Sequence, residues 1–470
     1  MPQNNTLLRL DRLIRGSFYA LIFFLPISIA LVGTFAAFAI LFFLIKRTLV
    51  VCAGPERGLR AFFEVIRPPA SFFNLPLGLF VAAVVVSVLF SQDHALSLRG
   101  FFGKILRGVF LYSSFLEAFR EIRYLNNFIF VWVTSAFVTA VSGLCQYFHG
   151  FDFLRNTLMS RERVSSSMRH ANDFGAYIVA ICPLLFVILL HWKSLSAQLE
   201  DVPRGAIGSP SFVRAFFLIA CAVLLVCLGL TFSRGAWLAF FAAIALTGFH
   251  KIKTLPVVFV VIAGFMMVFS PVMLKTRDAS LIRDDVQHYR ETVVESRSSE
   301  QKNTVVYSLQ NMGGSGRSGF WKEAMRIIYD YPVWGSGLNT YSKVGQKYSF
   351  NWGGYPHNSY LQMAAELGLL GLAAFLGMLF VLFRTSLMCV NRMPKGYLRS
   401  VLTGVLAGTC AYLIQSFFDT TFYSVQLSVL FWLMVSMAVA IQRIQVSSKN
   451  PIDKTLPLAR IGKIKKAACA

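Results

Sequence analysis

The chain has little charge, and less negative charge than positive. Of 470 residues only 14% are Asp, Glu, Lys or Arg, with 22 acidic against 45 basic and a formal charge of +23. Soluble domains carry about 25% charged residues, so this composition excludes a soluble enzyme. It also excludes a disordered chain, which combines low hydrophobicity with high charge. The eight cysteines (Cys52, Cys145, Cys182, Cys221, Cys227, Cys389, Cys410 and Cys469) form no CxxC pair. Zinc-ribbon and thioredoxin-like readings fall away, and no disulfide framework is implied. There is no glycine-rich phosphate loop of the ATP-binding kind and no metal-ligand spacing, so neither a cofactor nor a metal is expected.

Long apolar runs are present instead. The chain is 56% hydrophobic with 45 phenylalanines, and its mean hydropathy is +0.60. A membrane-crossing helix needs about 20 apolar residues. The runs near 71–90, 101–119, 125–147, 172–191, 212–231, 234–249, 255–274, 358–383, 398–418 and 422–442 approach or meet that length. The stretch 18–45 contains Pro26 and Gly33 and fits two short or tilted helices better than one straight one. The expectation is an all-α polytopic membrane protein with about twelve spans, or eleven if 18–45 is single. Basic residues punctuate the runs instead of covering one water-soluble face, which argues against a nucleic-acid partner. Their concentration in alternate loops and in the tail puts both termini on the cytoplasmic side.

Four regions follow: spans within 1–274, one large and partly helical outer loop at 275–357, three spans within 358–446, and a basic tail at 447–470. In the loop, Ser315-Gly316-Arg317-Ser318 opens a helix along which Phe320, Trp321, Ala324, Ile327 and Ile328 recur at helical spacing. Tyr331-Pro332 ends it. Gly335, Gly337, Gly353 and Gly354 mark turns before His357.

Polar groups gather at the outer ends of the spans. Arg234 sits at a junction of two spans, in a turn expected to be one or two residues long. It either points into a shared cavity or snorkels to headgroups. Arg317 starts the loop helix, where exposed N–H groups and the dipole favour an anion. His357 precedes Asn358-Ser359, either of which can cap the next helix; the dipole there disfavours an imidazolium and leaves a ring able to accept a proton. Glu366 lies inside a span, and such a carboxylate faces a cavity or a partner. Asp419, at the end of another span, is a weaker pointer. Arg161, Arg163, Arg169 and His170 cluster before Asn172-Asp173. Each group has a plainer reading as anchor, surface charge or structural histidine. Together, several guanidinium groups suit a diphosphate, which Arg grips bidentately. On an outer membrane face the available diphosphates are lipid-linked sugars.

Taken in order, Arg163-Val164-Ser165-Ser166-Ser167-Met168-Arg169-His170-Ala171-Asn172-Asp173, Thr231-Phe232-Ser233-Arg234-Gly235-Ala236-Trp237, Gly316-Arg317 with Trp321, Tyr331-Pro332-Val333-Trp334-Gly335-Ser336-Gly337, His357-Asn358-Ser359-Tyr360 and Glu366-Leu367-Gly368 resemble the O-antigen ligase and polymerase superfamily. One departure is Ala171, where the family usually has Pro before the Asn; no chemical group is lost. The resemblance implies a metal-independent, inverting GT-C-type glycosyltransferase of the bacterial inner membrane, with its site facing the periplasm. Its donor would be an undecaprenyl-diphosphate-linked glycan and its acceptor the lipid A-core oligosaccharide. His357, Arg234 and Arg317 would be catalytic. Arg163 is a further member of the donor site, and Arg161, Arg169, Asn358 and Glu366 are candidates for substrate contact. A polymerase using a second lipid-linked unit, and a protein O-oligosaccharyltransferase, share the same donor class. A flippase or transporter would carry ionisable groups near mid-span and an internal repeat; here the polar set lies at the outer ends.

Overall fold

The computed structural model describes residues 2–54, 58–160, 163–192, 210–248, 317–348 and 354–449. Helix α1 (Pro2–Phe24) and helix α2 (Ile29–Cys52) part at residues 25–28. Pro26 has no N–H to give a helix there, and the Ser28 side chain caps α2 by accepting from the Leu31 N–H. The stretch 18–45 therefore belongs to two helices. The short, exposed α3 (Leu59–Ile66) precedes α4 (Asn74–Leu89). Helix α5 (His94–Gly100) is capped by Asp93 and runs through a π-helical turn (Phe101–Leu106) into α6 (Arg107–Ala118). Then come α7 (Ile122–His149), α8 (Ala171–Leu190), α9 (Pro210–Leu230) and α10 (Arg234–Gly248). The loop helix α11 (Arg317–Asp330) and the single turn α12 (Tyr341–Val344) lead to α13 (Ser359–Arg392), α14 (Tyr397–Phe418) and α15 (Val425–Lys449). Among the described residues there is no named strand, only isolated bridges at 151/158 and 160/163.

Seven described helices are long and apolar enough to cross a membrane: Ile29–Cys52, Ile122–His149, Ala171–Leu190, Ser211–Leu230, Ser359–Arg392, Tyr397–Phe418 and Val425–Val446. The chain is a multi-pass membrane protein. Twelve spans are not reached among these residues, for identifiable reasons. Helix α4 has 16 residues and rises about 24 Å, short of a hydrocarbon core of about 30 Å. The run 101–119 lies in the continuous helical stretch His94–Ala118, whose turn at Phe101–Leu106 is π-helical. Helix α1 carries four charged residues, Arg9, Asp11, Arg12 and Arg15, within seven positions. The run 255–274 lies outside the described residues.

Two packing features organise the two ends of the bundle. Helices α8 and α14 run antiparallel at close range. A Cβ on Gly408 would come 2.1 Å from the Ala180 carbonyl oxygen, and one on Gly404 would come 2.8 Å from the Leu184 Cα. This small-xxx-small spacing lets two backbones meet, and it brings the start of α8 beside the end of α14. At the other end of α15, Glu117 accepts from the Lys46 ammonium at 2.9 Å and from Arg47 Nε at 2.6 Å, while Lys46 also pairs with Asp11 at 2.6 Å. The last carbonyls of α6, left without helical partners, accept from Arg443, Arg120 and Arg15.

Candidate functional site

The loop between α7 and α8 is held from beneath. Gln146 Oε1 accepts from the N–H groups of Ser165 and Ser166, and Ser167 donates to the Pro26 carbonyl. The serine run thus serves to fix the backbone between Arg163 and Arg169. Arg163 donates from Nε to the Thr231 carbonyl at 2.8 Å and from Nη2 to Asn172 Oδ1 at 2.6 Å. The Asn172 amide donates at 2.7 Å to Asp419 Oδ2, at the end of α14. The other oxygen of that carboxylate, Oδ1, lies 3.1 Å from His357 Nδ1 and accepts the Thr420 N–H at 2.8 Å. Arg163, Asn172, Asp419 and His357 therefore form one hydrogen-bonded run drawn from three separate segments of the chain.

The electrostatics follow from that wiring. Burial works against charge on Asp419, but the hydrogen bonds from His357, the Thr420 N–H and Asn172 hold its carboxyl below the usual carboxylate range. The His357 side chain stays 44% exposed, so with Nδ1 turned to the carboxylate its Nε2 edge is the one left to meet a ligand. Its backbone has φ 45°, an unusual conformation for a residue with a Cβ. Beside the run, burial and the neighbouring Arg169 push the His170 imidazole down, favouring its neutral form. Ala171 occupies the first helical position of α8, where proline is favoured but supplies no functional group.

Arg234 is the first residue of α10, after a turn of three residues (231–233), one more than the sequence predicts, with Phe232 at φ 46°. It is exposed. The adjoining Gly235 packs so closely on the end of α14 that a Cβ there would come 2.6 Å from the Phe418 Cβ. That seats Arg234 beside the residue that precedes Asp419. Arg317 opens α11 as expected, though its side chain lies outside the described residues, as does the whole of Arg161. Helix α11 rests on the strap 354–357: Trp321 Nε1 donates to the Pro356 carbonyl at 2.9 Å, and the Phe320 ring meets the His357 ring edge-on at 6.1 Å. Arg169 is exposed at the mouth of α8. Arg163, Arg169, Arg234, the start of α11 and His357 are thus brought together.

Two candidates for substrate contact have structural partners instead. Asn358 is the N-cap of α13; its Oδ1 accepts from the Tyr360 and Leu361 N–H groups, and the residue is buried. Glu366 is 1% exposed and accepts from the Asn339 N–H, Tyr341 N–H, Gln362 amide and Tyr423 hydroxyl. Its saturated carboxylate clamps the loop after α11. That loop enters a break in α13 at Gly368 (φ 69°). Ser336 and Gly337 N–H groups donate to the Ala365 and Glu366 carbonyls, while Leu369 and Leu370 N–H groups donate to the Pro332 and Val333 carbonyls. The two glycine-bearing motifs, 331–337 and 366–371, are therefore the two halves of one interlock.

Asp419 and Asn172 are the site residues that the sequence underweights. Asn172 stands in the 163–173 motif, yet nothing in the local pattern shows that it reaches a carboxylate 247 positions away.

Residues 219–376, about a third of the chain, match the model of the family described as O-antigen ligase, which supports a likeness to the O-antigen ligase superfamily over that region. That family comprises membrane glycosyltransferase-like ligases and polymerases, whose partners are in general a lipid-linked glycan and a lipid acceptor. The matched region contains Arg234, Arg317, His357 and Glu366 and ends before Asp419; Arg163 and Asn172 precede it. No curated protein matches the chain.

Proposed function

We propose that this protein is an O-antigen ligase that moves a glycan from an undecaprenyl diphosphate carrier to a hydroxyl of the lipid A-core oligosaccharide. The reaction is placed at the periplasmic face of a bacterial inner membrane, with the arrangement of a GT-C-type glycosyltransferase. The observation that carries this reading is the run from Arg163 through Asn172 and Asp419 to His357, which ties a proton-accepting ring to the ground where the arginines gather.

The chemistry balances without a cofactor. The Asp419 carboxylate accepts from Nδ1–H of His357, leaving Nε2 to take the proton of the acceptor hydroxyl. The alkoxide oxygen bonds to the anomeric carbon as the bond to the diphosphate oxygen breaks, with inversion. Arg234 and Arg317, with Arg169 nearby, stabilise the charge that develops on the departing diphosphate. Arg163 spends two of its donors on Thr231 and Asn172, so its first duty is to hold the site together. The single dominant outer loop supports ligase over polymerase.

Complementation of a ligase-deletion strain tests the reading. Return of the lipopolysaccharide ladder is the expected result. A change in glycan length with attachment intact would assign the chain to the polymerases, and no effect on either would remove both.

A further inference from the structure

The strap that delivers His357 also carries Tyr355, whose ring is 41% exposed. It is not a loose surface side chain. Tyr355 lies with its ring centroid 6.2 Å from that of Tyr341 at an interplanar angle of 25°, and 6.5 Å from that of Tyr423 at 35°. Both neighbours are anchored. Tyr341 is fully buried and donates to the Phe320 carbonyl, and Tyr423 donates to Glu366. The Lys104 ammonium stands 4.3 Å from the Tyr423 ring centre and donates to Asn339 Oδ1 at 2.8 Å. Gly354 fits against Phe320 so tightly that any side chain there would overlap it, which fixes the backbone just before Tyr355.

These tyrosines are reached through different elements from the arginines. Arg163, Arg169 and Arg234 belong to the starts of α8 and α10, whereas Tyr355, Tyr341 and Tyr423 belong to the strap, α12 and the 419–424 linker. Inverting transfer needs the acceptor to approach from the face opposite the diphosphate, with the base beside it. A rigid aromatic face two residues from the base is suited to that partner. The axial C–H face of a pyranose presents weakly positive hydrogens to the negative face of an aromatic ring, and a tyrosine adds a polar tip for a neighbouring hydroxyl.

We infer that Tyr355, backed by Tyr341 and Tyr423, is the platform on which the acceptor's terminal sugar ring stacks next to His357. This rests on the glycosyl-transfer reading of the same site.

The test uses the full-length purified enzyme, an undecaprenyl-diphosphate-linked oligosaccharide as donor, and lipid A-core lacking long glycan as acceptor. Tyr355→Ala is expected to raise the acceptor KM about ten-fold, a typical size for loss of one aromatic stack, with the donor KM and melting temperature unchanged. Tyr355→Phe and Tyr355→Trp should restore the acceptor KM. Wild-type acceptor KM in Tyr355→Ala, or a rise confined to the donor KM, would overturn the platform while leaving glycosyl transfer intact. Absence of transfer by the wild-type enzyme would overturn the underlying reading, and the platform with it.

Discussion

Asp419 holds the His357 ring with one carboxylate oxygen and the Asn172 amide with the other. The pair is therefore both a tautomer lock and a joint between α13, α14 and α8. Asp419→Asn keeps the shape but can present an amide N–H to Nδ1, which would turn the ring's lone pair away from the acceptor. Turnover is expected to fall about 10²–10⁴-fold with donor binding retained, as is usual for loss of general-base function. His357→Asn should give a similar loss in a folded protein, because Asn tolerates positive φ. Single-turnover rates with unchanged melting temperature would check both; near-normal rates would dismiss His357 as the base.

The lowered pKa of Asp419 fixes the sign of its pH dependence. A carboxyl depressed in the folded state contributes stability that is complete above its ordinary value, about 4, and is lost as pH falls through the lower folded value. Between pH 5 and 8 this group should leave the melting temperature flat. On acidification from pH 5 to about 3, wild type should lose more melting temperature than Asp419→Asn. Equal losses in the two proteins would show that the carboxylate is not held as described.

Arg234→Lys retains charge but not the fork. If the guanidinium grips a diphosphate with two parallel bonds, kcat/KM for the donor should fall about 10–100-fold. Wild-type kinetics would mean that Arg234 is only an interfacial anchor.

The interlock makes a prediction about stability alone. A Cβ on Gly335 (φ 73°) would lie 2.2 Å from the Glu366 carbonyl oxygen, and one on Gly368 (φ 69°) would lie 2.1 Å from the Val333 carbonyl oxygen. Gly335→Ala should cost about 2 kcal/mol or more. Glu366→Gln should cost about 1–3 kcal/mol by turning an acceptor of paired donors into a donor. Detergent melting curves read both; if either variant melted like wild type while losing donor affinity, Glu366 would return to the substrate side.

At the far end of the bundle, Glu117→Ala leaves Arg47, 10% exposed, without its carboxylate and Lys46, 8% exposed, with Asp11 alone. A loss of about 3–5 kcal/mol is expected, as for other buried pairs broken on one side. A melting shift within error would make the network dispensable.

Much of this architecture is legible in the residues. Pro26 marks the break between α1 and α2, the periodicity from Phe320 to Ile328 gives α11, and Tyr331-Pro332 stops it within a residue. The order of Arg234, Arg317 and His357 along the chain announces where polar groups collect. What the chain cannot display locally is pairing across distance. Glu366 reads as a lone charge in an apolar run because its four donors come from residues 339, 341, 362 and 423. Asp419 reads as an ordinary helix end because its partners lie 62 and 247 positions away. Hydropathy likewise counts apolar residues without seeing where a helix starts and stops. That is why 71–90 looks like a full span and folds as a 16-residue helix.

The break at Gly368 divides α13 into unequal pieces. The stretch beyond the glycine is by itself long enough to traverse a bilayer, so the two turns before it need not be immersed at all. They form a bracket that accepts two main-chain bonds from the loop at Ala365 and Glu366, while Leu369 and Leu370 at the head of the span donate two more to the same loop. A load placed on the His357 strap would accordingly be shared between bracket and span through the loop segment 332–337 that clasps both.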